Sequence, residues 1–373
     1  MDFTLAKEQE FLQRTVREFC EREVVPIADQ IDQQDKIPEE LISKMAKLRL
    51  FGIPYAKKYG GAGGSYMELI LALEELGRAS AAVSLVVDAH HLGAIPIERH
   101  GTEEQKSKFL PDLAQGNGIA SFAFTEAATG SDPKAITTTA RLDRDQYILN
   151  GSKRFISNAT YDGSIVIFAR ENDEISAFIV EKNKEGYTTP TVWDKMGFRG
   201  TPVADINLEN VRTSAANLLG EKGKGYQLLL ETIATAKVGL CGALVGVSQA
   251  AFEEAIKYAK ERTARGKPIS SFQSTQWLIA DMASQLEAAR WLTYRVASML
   301  DQGANIMKDS AMTKLFVSEM ATEVTRKAIE VHGAYGYVKE FKVERLYRDA
   351  KLGEIVEGVN EVQRVIVAGN LLR

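Results

Sequence analysis

Several residue types and patterns are scarce in this chain, and each scarcity excludes something. Among 373 residues there are only two cysteines and four histidines. Cys20 and Cys241 are far apart and form no CxxC, which excludes a disulfide scaffold and fits a reducing cytosol. Neither sign of charge dominates. Lys and Arg number 46 against 50 Asp and Glu, a net of −4 that leaves no electrostatic footprint for nucleic acid. A small anionic ligand needs only a local patch and stays open. No apolar run approaches the ~20 residues needed to span a bilayer. The opening MDFTLAKEQEF has no basic n-region and no apolar h-region, so a cytoplasmic protein is expected, with no membrane insertion. His90 and His91 are adjacent, diverge by ~100° on a helix, and have no HExxH or CxxC nearby; no metal site is expected.

What is present changes period twice. Residues 1–118 read as helical: Phe11, Leu12, Val16, Phe19, Val24 and Val25 recur at helical spacing. YMELILALEELGRAS is a second such stretch, and Thr102 opens a third as N-cap, with acids in its first turn. Residues 119–222 read as strands. IASFAFTE, ITTTARLD, QYILNGSKRFIS, SIVIFARE, EISAFIVEK and DINLENV are short, rich in β-branched or aromatic residues, and separated by turns. Six strands without helix-length spacers predict a small antiparallel barrel or sandwich. Residues 223–373 return to the helical period, with three long helices and a shorter terminal one in an up-down bundle. Gly239, Gly242, Ala243 and Gly246 allow close helix contacts there. Helices, strands, then helices make an α+β layout rather than alternating βα units.

Single motifs are ambiguous. YGGAGGSY (59–66) and GEKGKG (220–225) lack the GK[ST] ending of a P-loop and read as a loop entering a helix and as a linker. TEAATGSD (125–132) ends a strand and offers backbone N–H groups with Thr125, Thr129 and Ser131. It is either a polar turn or the wrap around a planar or phosphate-bearing ligand. KERTARGKPISSFQ (260–273) places Lys260, Arg262, Arg265 and Lys267 at a helix end. They either complement the helix dipole or clamp a phosphate. Asp88 follows the apolar run AAVSLVV and is either a surface acid or a buried carboxyl. Glu357, between Val356 and Gly358, is a surface acid, a capping acid or a base in a dry pocket.

The order of these pieces is more specific than any one of them. FAFTEAATGSD, LNGSKRFISN, KMGFRG, YAKERTARGKPISSFQ and RDAKLGEIVEGVNEVQR succeed one another over nearly the whole chain. This arrangement resembles the acyl-CoA dehydrogenase family. The resemblance implies an N-terminal helical domain (1–118), a middle antiparallel β-barrel (119–222) and a C-terminal four-helix bundle (223–373). It implies FAD as cofactor, an acyl-CoA substrate, electron-transfer flavoprotein as partner, and a homotetramer. Glu357 matches the base that removes the α-proton. Phe122, Phe124, Thr125 and Ser131 match flavin contacts, and Ser131 also a substrate contact. Phe155, Ile156 and Ser157 match the segment behind the flavin ring. Arg262 and Gln273 match groups reaching a neighbouring subunit's FAD. Glu330, Gly333, Val359 and Glu361 match further cofactor positions, and Lys237, Gly358 and Asp88 substrate positions. Several depart from the family pattern: Glu330 replaces a common Gln, Lys237 an Arg, and Val359 a Thr. Asp88 falls at the floor of the acyl pocket, where a carboxylate disfavours a long alkyl tail. A short, branched or alicyclic acyl group, such as a cyclohexanecarboxyl type, is expected. An enoyl-CoA reductase or an acyl-CoA oxidase is the alternative on the same fold.

Overall fold

The computed structural model describes residues 4–372. Met1–Phe3, part of the opening stretch searched for a signal, and Arg373 lie outside the described residues. Six helices come first: α1 (Lys7–Phe19), α2 (Ala28–Gln34), α3 (Glu39–Lys47), α4 (Tyr66–Ala79), α5 (Ala81–His100) and α6 (Glu103–Gln115). Their starts follow from local chemistry. Ser65 caps α4 and Thr102 caps α6, each in a reciprocal box with Glu68 or Gln105 three residues on. His90 and His91 are buried and bind the backbone: Nε2 of each ring faces a carbonyl, of Phe51 at 3.1 Å and Leu50 at 3.0 Å.

The strands are β1 (Ser121–Ala123), β2 (Thr139–Asp143), β3 (Gln146–Ser157), β4 (Ser164–Glu171), β5 (Glu174–Glu181), β6 (Tyr187–Val192), β7 (Val203–Ser214) and β8 (Leu218–Leu219). They hydrogen-bond in the order β6-β7-β3-β2-β4-β5-β8. Pairing is antiparallel except where β1 and one residue of β2 run parallel to β4. The sheet curls back on itself, since Thr213 Oγ1 in β7 donates to Ile179 O in β5 at 2.9 Å, although these strands are not ladder neighbours. The inward face packs Leu149, Ile156, Ile167, Phe178, Ile206 and Val211 into the barrel core.

The third part holds α7 (Gly225–Glu261), a short hairpin β9 (Thr263–Ala264) and β10 (Lys267–Pro268), then α8 (Gln273–Asp301), α9 (Met307–His332), α10 (Val343–Lys351) and α11 (Asn360–Leu371). Three long helices pack together, and two short ones, rather than the single expected one, complete the bundle against α9. In YQLLLETIATAKVGLCGALVGVSQAAFEEAIKYAKERTA the helical pattern runs through Ala264, but α7 stops at Glu261. Arg265 and Gly266 take φ of 50° and 78°, the hairpin-turn region that no helix tolerates.

One expectation is corrected. By length and composition α7 is apolar enough to cross a membrane. Between Glu231 and Glu253 the run carries a single charge, Lys237. Folding buries 83% of its apolar window, and Lys237 with it. The close contacts rely on absent side chains: a Cβ on Gly246 would lie 2.0 Å from Glu74 O in α4.

Candidate active site

Glu357 stands in a turn between α10 and α11. Its φ is +55° and that of Gly358 is +85°. Two successive left-handed residues reverse the chain, and the non-glycine one costs roughly 1–2 kcal/mol. Gln363 Nε2 supports the turn from α11, donating to Glu357 O at 3.1 Å and Gly358 O at 2.7 Å. Among the described residues the Glu357 N–H has no backbone acceptor.

The three acids of EIVEGVNEVQR have different fates. Glu354 is tied to Lys351 and Thr322. Glu361 is exposed on the first turn of α11. Among the described residues, nothing hydrogen-bonds or ion-pairs with the Glu357 carboxylate. Because helix α11 begins only at Asn360, Glu357 does not cap it. Burial pushes its carboxyl up to about 7, and the cations Lys237 and Lys314 restrain the rise.

Two further groups close this pocket. Lys237 projects from α7, is 2% exposed, and has no hydrogen-bond partner among the described residues. Burial holds its ammonium down at about 8, with Glu357 opposing. Asp88 in α5 is 8% exposed and likewise unpartnered, so it is a buried carboxyl and not a surface acid. Burial, and then the Glu357 charge, push it well above the ordinary aspartate range. Asp88 fits because position 239 has no side chain: a Cβ there would sit 2.0 Å from Asp88 Oδ1. Cys241, one turn beyond Lys237, is buried among the same charges, its thiol pushed up to about 12 first by burial. The arrangement brings together a carboxyl that titrates near neutrality, a buried lysine and a second carboxyl held well above the ordinary aspartate range. A carboxylate of this kind can accept a proton from a weak carbon acid.

The residues expected at the flavin form a separate rim. Arg154 N donates to Thr125 O at 2.8 Å, and Ser121 Oγ to Ser157 O at 2.9 Å, which joins the 125–132 turn to the end of β3. The hydroxyls of Thr125, Ser131 and Ser157 make no hydrogen bond among the described residues. Phe155 lies at a β-bulge with φ of +59°; its exposed ring meets Trp193 at 5.1 Å. Phe122 and Ile156 are buried. Their side chains are 7% and 3% exposed and face the protein core, so only their backbone is offered to a ligand. Phe124 is half-buried, edge-on to Phe122 at 6.2 Å.

The remaining cofactor positions gather elsewhere. Arg262 follows α7, its guanidinium 5.5 Å over the Tyr335 ring. Gln273 opens α8 and is exposed. Glu330, exposed at the end of α9, pairs with Arg326. Gly333 turns the chain at φ +61°, in space open enough for a Cβ. Val359 stands apart from these: half-buried, it precedes α11 and is two residues from Glu357. Lys237 and Arg262 are separated by 25 helical residues, about 37 Å at 1.5 Å per residue. The distal cluster and the Glu357 pocket therefore do not meet within one chain.

Sequence reasoning missed the supports. Glu126 accepts Thr137 N, Thr137 Oγ1, Thr138 N and Thr138 Oγ1 at 2.6–3.0 Å, and Lys153 Nζ at 2.8 Å. Burial works to raise its carboxyl, but Lys153 and these donors hold it down at about 2. It pins the turn that carries Thr125 and Ser131. Asp205 does the same beside Phe155, accepting Phe155 N at 3.3 Å and Trp193 Nε1 at 2.8 Å. A Lys among β-strand apolar residues was the one visible signal of the first network.

Comparison with known proteins accounts for this layout. The acyl-CoA dehydrogenase N-terminal, middle and C-terminal domain models match residues 6–117, 121–211 and 223–372. The chain belongs to the acyl-CoA dehydrogenase family. It is 40% identical to the short-chain-specific acyl-CoA dehydrogenase of Clostridium acetobutylicum over all of both chains. It is 39% identical to the caffeyl-CoA reductase–Etf complex subunit CarC of Acetobacterium woodii, over 99% of each. The structure of butyryl-CoA dehydrogenase from Megasphaera elsdenii superposes with a TM-score of 0.97, at 36% identity and full coverage of both chains. The protein is thus an oxidoreductase of a FAD-dependent family. The rim suits that cofactor: three free hydroxyls and an exposed aromatic ring present polar edges and a flat face to a planar heterocycle.

Proposed function

We propose that the protein removes the α-proton and a β-hydride from a short, branched or alicyclic acyl-CoA thioester, giving the 2-enoyl-CoA. The observation that carries this is the Glu357 carboxylate, raised toward neutrality by burial beside Lys237 and Lys314 and without a hydrogen-bond partner among the described residues, next to a Glu357 N–H that is equally unpaired there. The carboxylate takes the α-proton. The N–H donates to the thioester oxygen as negative charge develops there, the role of a preorganised oxyanion donor. Gly358 leaves room for the thioester, and Lys237 balances the charge of the base. FAD, when bound, accepts the hydride. Thr125, Ser131, Phe155 and Ser157 hold its ring, with backbone from Phe122 and Ile156. Val359 and Glu361 border the same cleft.

Electron-transfer flavoprotein is the proposed acceptor, supported by the Etf complex of the A. woodii relative. That relative's reductase name also favours a second reading, reduction of an enoyl-CoA by the same base and flavin. The proposed assembly is a cytoplasmic homotetramer. The distance between the Glu357 pocket and Arg262 supports it, because Arg262, Gln273, Glu330 and Gly333 are then free to serve a neighbour's cofactor. The proposed domain limits are 1–118, 119–222 and 223–373.

Anaerobic mixing with straight, branched, aryl and alicyclic acyl-CoAs, followed by flavin bleaching, tests the reading. Bleaching by short or alicyclic thioesters is expected. Bleaching by none of them, with enoyl-CoA oxidising the reduced flavin instead, would establish the reductase. The rate should climb with pH, about tenfold per unit below about 7, and level above it, because only the ionised carboxylate is a base. A flat profile across pH 7 would contradict the assignment. Asp88→Ala removes a buried polar group from the acyl floor. It should raise activity on longer straight-chain thioesters by roughly tenfold relative to short ones, about one methylene or two of burial. Unchanged activity on every acyl-CoA would remove Asp88 from the pocket.

A further inference from the structure

Lys314 lies on α9 with its side chain fully buried. Its Nζ donates to Gly358 O and to Asn360 Oδ1, both at 2.9 Å. Asn360 Oδ1 also accepts Ser318 Oγ at 3.0 Å, one helical turn along α9. From the other side Gln363 Nε2 reaches Glu357 O and Gly358 O. The left-handed pair is therefore gripped through its carbonyls from two helices, and its free N–H and carboxylate are left toward the cleft.

Hydrogen bonding alone does not explain a lysine here. Both acceptors are neutral, so an uncharged donor would satisfy them, and burying an ammonium without a counter-charge is unfavourable. No acid ion-pairs with Lys314 among the described residues. The charged and titratable groups facing it are Cys241 and Lys237 on α7, Glu354 in the turn after α10, and Glu357. Glu354 is already bonded to Lys351. Of the two acids facing Lys314, Glu357 is the one without a hydrogen-bond or ion-pair partner among the described residues. It is faced in turn by Lys237 from α7, Lys314 from α9 and Asp88 from α5.

We propose that Lys314 is a positioning residue for the proton-transfer step: bound to Gly358 O and Asn360 Oδ1, it fixes the turn that presents Glu357 and places a buried positive charge near its carboxylate. This rests on Glu357 being the base. It gives α9 a part in the reaction although Lys314 itself touches neither substrate nor cofactor.

The test compares flavin-loaded wild type, Lys314→Met, Lys314→Arg and Glu357→Gln in anaerobic bleaching by one active acyl-CoA across pH. Lys314→Met should move the pH midpoint of the bleaching rate upward by roughly one unit, the effect of losing a nearby opposite charge. It should lower the rate at neutral pH at least tenfold with little change in KM. Lys314→Arg should restore the midpoint. A Lys314→Met protein with reduced thermal stability but an unmoved midpoint would overturn the proposal and leave Lys314 a structural residue. If Lys314→Met does not fold, Lys314→Gln keeps a donor and removes the charge; its midpoint decides in the same way. Bleaching by Glu357→Gln at the wild-type rate would instead refute the base itself, a separate result. Exchange of the thioester α-hydrogens with solvent D2O, independent of hydride transfer, should slow in Lys314→Met and recover in Lys314→Arg.

Discussion

Glu357→Gln should bind FAD and fold as the wild type does, yet bleach its flavin with substrate at least about 10³-fold more slowly, within the range for loss of a general base. The side chain is nearly isosteric and makes no hydrogen bond or ion pair in the wild type. Stability therefore has little reason to change, and the loss falls on the proton transfer. The amide also removes an anion that faces Lys237 and Lys314, so both ammonium groups should titrate lower in the variant. Stopped-flow absorbance at the flavin band measures the effect. A loss of only a fewfold would mean that another group takes the proton.

The second large effect is on the cofactor. Arg262→Ala should weaken FAD retention by roughly 10- to 100-fold, the worth of one charge-assisted hydrogen bond to a phosphate. Among the described residues of the single chain Arg262 has no acid partner, and its guanidinium lies over the Tyr335 ring. Its removal should leave the fold of that chain intact. The flavin-to-protein absorbance ratio after gel filtration, and its recovery in excess FAD, measure this. Full retention of flavin by the variant would remove Arg262 from the cofactor site and with it the main support for a site shared between subunits.

Much of the fold could be read in the sequence because the strands are short and bounded by strong turns. The limits of β3 and β4 were visible in QYILNGSKRFIS and SIVIFARE. β6 was missed because YTTPTV carries a proline and no apolar alternation, which is how an edge strand protects itself. The β9–β10 hairpin was hidden by a helical pattern that ran into it. Asp88 could not be resolved by periodicity because α5 is buried nearly all round, so it has no polar face against which an acid stands out. Lys314 was legible in principle: with Ala311, Val317, Ser318 and Ala321 it lies on the buried stripe of α9, where a cation needs a reason. Glu357 itself was ambiguous from its neighbours, and only its place after four ordered motifs singled it out. The free N–H, the left-handed turn and the grip on its carbonyls are tertiary facts that no local pattern contains.

The central claim is that one carboxylate, Glu357, removes the thioester α-proton. Acetyl-CoA has α-hydrogens and no β-carbon, so it separates this step from hydride transfer. Incubated in D2O with the FAD-loaded protein and followed by NMR or mass spectrometry, it should gain deuterium at the methyl group with wild type. With Glu357→Gln it should gain no more than in buffer. Equal exchange in the two proteins would contradict the account.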